Sequence, residues 1–380
     1  MKLLYIANAR IPTEKAHGWH IVKMCQALAA RGADVTLILP QRKNLIQEDL
    51  FSYYGIKKIF KVHYLPIIDL VAKGWFGYWI TQLLFSWRLL RLNFNPRLDI
   101  VLTRDELSGW LMSKRGFKVF YDMHGFPETW LALWKIAMRA MVGIICTNNW
   151  KMKQTQEFFK IPSSRMVLAR NGFDPNEFSS PASREIARKQ LGLPLEQPIA
   201  LYAGHLYDWK GADTLARASA YLPRVSLVFV GGTAQNVEEF KKRHAHCKNI
   251  LVFGQRPHAQ IPLFLAAANI LVLPNSRQSA NPRHIPYSIY DTSPIKLFEY
   301  MASRRPIIAS DLPSIREILD ERTAIFFEPD NSESLSQKIG YLLSATDEAA
   351  LMAERAFHAA QSYTWEKRAK IKLEFMKVFL

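Results

Sequence analysis

Residues 291–317, DTSPIKLFEYMASRRPIIASDLPSIRE, decide how this chain is read, because a polar loop, an amphipathic helix and a buried strand follow one another directly. Ser293 is placed to cap a helix that has Pro294 in its first turn. Ile295, Leu297, Phe298, Met301 and Ala302 give that helix an apolar face, and Lys296 and Glu299, three apart, share one side. Arg304 and Arg305 suit the carbonyl end of the helix, and Pro306 stops it. The run Pro-Ile-Ile-Ala-Ser then reads as a short buried strand. Backbone N–H groups at a helix start, next to a lysine, form a place for an anion, most often a phosphate. The same spacing also fits an ordinary amphipathic helix with its Lys and Glu in solvent.

Upstream, the pattern repeats. PIALYAG (198–204), SLVFVGG (226–232), NILVFG (249–254) and ILVLP (270–274) are strand-like runs, and HLYDWKGADTLARA supplies a loop and helix after the first. Alternating strands and helices imply a parallel sheet. The N-terminal half reads the same way. Residues 1–7 and 34–39 are strands flanking the helix HGWHIVKMCQALAARG, with Gly32 as its stop. The loop Ala9 to Gly18 holds no G-x-G-x-x-G, which argues against a dinucleotide-dependent dehydrogenase. Further strands are Asp99–Thr103, Val119–Met123 and Gly143–Thr147. His124 follows a strand directly, at the carboxyl end where open α/β sheets hold ligands. The segment SSPASRE (179–185) reads as a linker, and SYTWEKRAKIKLEFMKVFL as a basic amphipathic C-terminal helix.

Length and composition set bounds. A chain of 380 residues, 49% hydrophobic and 22% charged, can bury two separate cores. Cys25, Cys146 and Cys247 stand apart from one another, so neither a disulfide framework nor a metal knuckle is expected, and a reducing cytoplasm fits. No run is apolar and uncharged over the ~18 residues of a spanning helix. The formal charge is +17, and residues 1–185 hold 26 Lys and Arg against 14 Asp and Glu, so about +12 of it lies in the first half. Such a surface suits a polyanion. With no nucleic-acid module in the sequence, an anionic membrane is the expected partner and nucleic acid is not.

Residues 75–94, WFGYWITQLLFSWRLLRLNF, crowd Trp75, Phe76, Tyr78, Trp79, Phe85, Trp87 and Phe94 onto a helix-length segment. Gly77, Thr81, Ser86 and Arg88 form a thin polar side, and Lys57, Lys58, Lys61, Lys73, Arg88, Arg91 and Arg97 surround it. Two arrangements fit: an interfacial helix with its rings at a lipid boundary, or a helix whose aromatics fill the core under the first sheet.

The stretch from Asp291 to Glu299 resembles the E-x7-E region of the large retaining glycosyltransferase family with the GT-B fold, of the family 4 (glycosyl transferases group 1) type. YAGHLYDWKG resembles that family's Y-x-G-R-x-x-x-x-K-G phosphate grip, NGFDPNEF (171–178) its N-G-x-D-x-x-x-F turn near the end of the first domain, and SYTWEKR its final helix. The resemblance implies two Rossmann-like doubly wound parallel-sheet domains facing across a cleft, over residues 1–185 and 186–360, with 361–380 crossing back to the first. It implies a metal-independent hexosyl transfer, with retention of configuration, from a UDP- or GDP-sugar to a lipid-linked or membrane-bound glycan in cell-surface polysaccharide or glycolipid synthesis. No cofactor is implied beyond the nucleotide-sugar substrate, and the implied location is cytoplasmic or peripheral on the inner face of the membrane. By the same resemblance His124, Lys210 and Asp291 are catalytic, and Gly18, His205, Lys210, Ser293, Pro294, Ile295 and Glu299 bind the donor. Glu299 would take the ribose, Asp291 the sugar hydroxyls, and Lys210, His205 and the N–H groups after Ser293 the diphosphate. Asp291 stands where the family has Glu, and His205 where Arg is common. Arg277, Arg283 and His284 lie in the adjoining loop as further contacts without an assigned role. A GT-B sugar-nucleotide epimerase and an inactive sugar-nucleotide-binding relative are the alternatives.

Overall fold

The computed structural model describes every residue except Glu128 and Arg283. The chain divides into two compact units, Met1–Arg170 with Trp365–Leu380, and Asn171–Thr364. Strands β1 (Lys2–Ile6), β2 (Asp34–Gln41), β3 (Lys61–Pro66), β4 (Asp99–Thr103), β5 (Lys118–Met123), β6 (Gly143–Cys146) and β7 (Met166–Leu168) form a parallel sheet in the first unit, ordered β3-β2-β1-β4-β5-β6-β7. Strands β8 (Ile199–Ala203), β9 (Ser226–Val230), β10 (Ile250–Val252), β11 (Ile270–Leu273), β12 (Ile307–Ser310) and β13 (Ile325–Phe327) form another in the second, ordered β10-β9-β8-β11-β12-β13. Each sheet reverses its winding beside its first strand. In such doubly wound sheets ligands bind at that switch point, outside the strands' carboxyl ends. The central strands are buried on both faces, as their unbroken apolar runs require.

The second unit begins earlier than the Ser/Pro-rich segment suggests. Phe173 and Phe178 lie in its core, so the Asn-Gly turn 171–178 belongs to it and not to the end of the first unit. Ser183, inside the expected linker, instead caps the helix Arg184–Leu191 by accepting a bond from the Ile186 N–H.

The aromatic segment folds as a helix, Gly74–Leu90, and it attaches by its small and polar side. Thr81 accepts from the Leu70 N–H at 3.0 Å and donates to the Gly77 carbonyl, and the Gln82 amide donates to Asp105 at 2.6 Å. Of the large residues, Phe85 and Leu89 enter the core. Trp75, Phe76, Ile80, Leu83 and Trp87 stay in solvent, with Phe76 74% exposed. Trp79 packs 6.3 Å from Trp130, which is itself exposed. The helix therefore divides its apolar residues between core and surface. Among the described residues no helix is long and apolar enough to cross a membrane.

The C-terminal helix, Trp365–Lys377, completes the first unit. Arg368 and Lys372 are both buried and converge on Asp122 of β5: an Arg368 Nη donates to one carboxylate oxygen at 2.9 Å and the Lys372 Nζ to the other at 2.5 Å. Burial alone would raise the Asp122 pKa, but Arg368, Lys372 and His124 more than offset it and hold the carboxyl well below its usual range. Burial and the Arg368 charge, opposed by Asp122, bring Lys372 down to about 7. Removing one partner from a buried ion cluster leaves an uncompensated charge, at a cost of about 3–5 kcal/mol. Arg368→Met is therefore expected to lower the unfolding free energy by about that amount in urea denaturation, and Asp122→Leu with Lys372→Met added to it, which leaves no charge of the cluster behind, to recover part of the loss. A single variant as stable as the wild type would refute this account.

Candidate functional site

The second unit gathers most of the expected residues at the carboxyl ends of β8 and β11. The chain leaves β8 through Gly204 and His205, turns at Asp208–Lys210 and enters the helix Ala212–Arg217. Gly211 joins these pieces at φ +70°, and a Cβ there would lie 1.6 Å from the Pro274 carbonyl oxygen, so only glycine lets this turn press on the end of β11. The His205 ring stacks on Tyr207, with centroids 5.0 Å apart, and its carbonyl accepts from the Tyr202 hydroxyl. Trp209 is buried edge-on to Tyr287, and its carbonyl takes the Ser276 N–H and the Ser288 hydroxyl. These bonds fasten the loop after β11 to the grip.

The Lys210 ammonium sits 3.9 Å over the Trp209 ring, and burial lowers its pKa to about 7. Lys296 lies 3.9 Å over the Tyr202 ring with its Nζ enclosed and without a hydrogen-bond partner. Burial, and then the Lys210 charge, push Lys296 well below an ordinary lysine, while Glu299 pulls the other way. Sharing one side of the helix thus couples Lys296 to Glu299, as the spacing predicts. Asn275, which directly follows Pro274, is fully buried with neither amide atom hydrogen-bonded. Buried cations and amides left open in this way are costly unless something binds them.

The helix begins at Ile295, not at Pro294, and Ser293 does not cap it. A residue before proline is driven to extended backbone. Pro294 itself stays extended, at φ −71° and ψ 126°, and takes the cap position, where it has no side-chain acceptor to offer. No side chain caps this end, while the Ser293 carbonyl accepts from the Asn171 amide at 2.7 Å. Asp291 is buried at the end of the preceding turn, Tyr287–Asp291. At the far end the helix stops at Ala302, so Arg304 and Arg305 lie beyond it. Arg304 turns left-handed at φ 53° and pairs with Glu354. Glu299 is buried and accepts from His258 Nε2, 2.8 Å away, whose other nitrogen lies 3.7 Å from Glu177. The loop arginine Arg277 turns away to the Pro329 carbonyl and the Asp330 carboxylate, and His284 packs against Trp209. Arg283 lies outside the described residues.

In the first unit, Gly18 is buried in the opening helix. A Cβ there would meet the Tyr54 hydroxyl at 2.3 Å and Thr13 at 2.4 Å, so the structure gives this glycine a packing reason of its own. The neighbour that reaches the strand ends is His20, whose ring meets His124 edge-on at 4.2 Å. His124 lies just past β5, 3.1 Å from Asp122 through Nε2. Burial, and then Arg104, press its pKa well below the usual value, so its imidazole is neutral at pH 7. Asp122, Arg368, His20, Asn275 and His258 have no part in the sequence reading. Only Asp122 offered a signal, as the one acid in an apolar strand.

Two doubly wound sheets, each with polar groups gathered at its switch point, define the GT-B class of fold. A model described as "Glycosyltransferase Family 4" matches residues 17–177, and one described as "Glycosyl transferases group 1" matches residues 183–359. The chain belongs to this family of GT-B glycosyltransferases. It is 21% identical over 250 residues to a D-inositol 3-phosphate glycosyltransferase of Corynebacterium urealyticum, covering 62% of this chain and 56% of that one. It is 30% identical over 158 residues to TuaC of Bacillus subtilis, a putative teichuronic acid biosynthesis glycosyltransferase, covering 41% and 36%. The matches thus span about half of these relatives' length or less. Among solved structures, HepE of Anabaena in complex with UDP superposes with a TM-score of 0.73 at 17% identity, covering all of both chains.

The enclosed Lys296 yields a stability test. Lys296→Met removes a buried, unpartnered cation and is expected to stabilise the protein by about 1–3 kcal/mol at pH 7. A lysine depressed on folding costs stability below its unfolded pKa, and the cost fades as the unfolded chain also loses its proton. The gain should therefore shrink as pH rises toward 10.5. Thermal melts between pH 7 and 10 would show it, and a variant less stable than the wild type would contradict it.

Proposed function

We propose that the chain transfers a hexose, with retention of configuration and without a metal, from a nucleotide-diphosphate sugar to a lipid-linked or membrane-bound glycan. One observation carries the donor half of this reading: Lys210, Lys296 and an uncapped helix N-terminus gather at a switch point, and the Lys296 ammonium has no hydrogen-bond partner. Cleaving a glycosidic phosphate bond leaves charge on the diphosphate while the sugar becomes oxocarbenium-like. Cations and backbone N–H groups fixed beforehand stabilise that charge as it grows. Glu299, steadied by His258, takes the ribose, and Asp291 the sugar hydroxyls. Neutral His124 can hydrogen-bond a sugar hydroxyl without opposing positive charge at carbon. The HepE structure, which holds UDP on the same fold, supports a uridine or related nucleotide. TuaC, by its description, supports a role in polysaccharide synthesis.

Nucleotide release from a panel of UDP-, GDP- and ADP-sugars, with and without a membrane lipid extract, tests the reaction. Release from one donor, raised by lipid, unchanged by EDTA and reduced at least a hundredfold by Glu299→Ala, is the expected result. Release that needs no acceptor and regenerates an isomeric sugar nucleotide would point to an epimerase instead.

The exposed rings of the helix Gly74–Leu90, beside Lys73, Arg88 and Arg91, fit an anionic lipid surface, since cations hold the headgroups while rings settle at the acyl boundary. Phe76→Asp with Leu83→Asp alters two exposed positions only. Cosedimentation with anionic vesicles should fall at least fivefold in this variant, and equal binding would exclude this face as the membrane contact.

A further inference from the structure

The first unit has a concave region of about 1280 Å³ at its own switch point, formed where the chain leaves β1 at Ala7 and Asn8 and β4 at Arg104 and Asp105. Both signs of charge line it, but they are not equally engaged. Glu14 pairs with Arg10. The Asp69 carboxylate accepts from the backbone N–H groups of Lys43 and Val71. Asp105 accepts from the Ser108 N–H and from Gln82. Glu106 takes the Tyr121 hydroxyl at 2.5 Å, and burial followed by the nearby Asp105 raises its pKa to about 7. Every acid of the concavity is thus occupied by the protein's own donors.

The cations are engaged by neutral groups only: an Arg104 Nη lies 3.2 Å from the His20 ring nitrogen Nδ1. Among the described residues Lys15, Arg42, Lys43, Lys73 and Arg104 line the same space and form no ion pair. Arg42 is fixed by a 2.7 Å bond to the Asn8 side chain, and its Nε is buried without a hydrogen-bond partner. Asn8 is held in turn by Gln82, so a chain of side-chain bonds runs from Asp105 to Arg42. Asp69 and Asp105 lie near enough to favour the Arg42 charge, yet neither pairs with it directly, and a guanidinium held in place by its neighbours with no carboxylate against it is preorganised for an oxyanion.

We propose that the acceptor of this enzyme carries an anionic group of its own, a phosphate or a carboxylate, and that Arg42, Lys43 and Arg104 bind it in this concavity. The proposal rests on the glycosyl-transfer reading for the word acceptor; the anion site itself stands on the geometry of the first unit. Lys73 and Tyr78 lie both in its wall and at the start of the aromatic helix. An amphiphile could therefore place its charged head in the concavity and run its apolar part along Trp75 and Phe76.

Calorimetric titration of the whole protein, with UDP added first to fill the donor site, tests this. Glucose 1-phosphate is expected to bind at least tenfold more tightly than methyl glucoside, and Arg42→Gln with Lys43→Gln to abolish that difference while UDP affinity stays within twofold of the wild type. Dodecyl phosphate as a third titrant separates the sources. Tighter binding than glucose 1-phosphate, lost in Phe76→Asp, assigns the anion to a lipid-linked acceptor, and equal binding to a soluble one. Methyl glucoside binding as well as the phosphate, or the variant keeping the preference, would overturn the proposal. Failure of UDP to bind the wild type would count against the donor reading alone, because the sugar-phosphate comparison would still decide the anion site.

Discussion

A single buried carboxylate, Asp122, organises the first unit. No water reaches it, so it must be neutralised by the protein, and the structure does so with Arg368 and Lys372 from the C-terminal helix. The same guanidinium donates to the His20 ring and to the Ala169 carbonyl, so one group links the first helix, the end of β7 and the C-terminal helix. His124 leans on the carboxylate from the strand end. A buried ion cluster of this kind is weak evidence for stability, since a well-packed apolar set often does as well. What it supplies here is geometry: it fixes the orientation of an imidazole that burial and surrounding positive charge keep uncharged.

The second unit follows the opposite logic. Its polar groups at the switch point are not satisfied internally. Lys296 lies against an aromatic face with no hydrogen-bond partner, Asn275 has open amide atoms, and the helix at Ile295 starts on a proline that cannot cap it. Each of these costs stability, because a buried polar group without a partner is desolvated for no return. Under the proposed function these are the groups a highly charged donor would satisfy, so the same features that cost stability would serve binding.

The sequence shows the central strands of both sheets plainly, because strands buried on two faces are unbroken apolar runs. β3, β7 and β13 escape it for a physical reason. All three are edge strands, two of them only three residues long, and β3 is largely exposed, so none carries a burial pattern. The grip around Lys210 and the helix with Lys296 and Glu299 are legible as motifs. Their long-range partners are not: His258 reaches Glu299 from a segment without periodicity, and nothing local to Arg368 points to Asp122. The aromatic helix shows where composition falls short. It is held by Thr81 and Gln82 through hydrogen bonds, and no count of apolar residues predicts that the polar side is the inner one. Ser293 suits a cap by residue type, yet the proline after it moves the helix start.

The bond between Asp122 and Arg368 closes across 246 residues of chain. During synthesis the amino-terminal strands emerge first and could otherwise settle at once. Here the two cations that neutralise Asp122 belong to Trp365–Lys377, which follows the whole of the second unit in the chain. The second unit, Asn171–Thr364, is continuous and under no such restriction. The first unit is thus completed by a segment that is translated after the whole of the second.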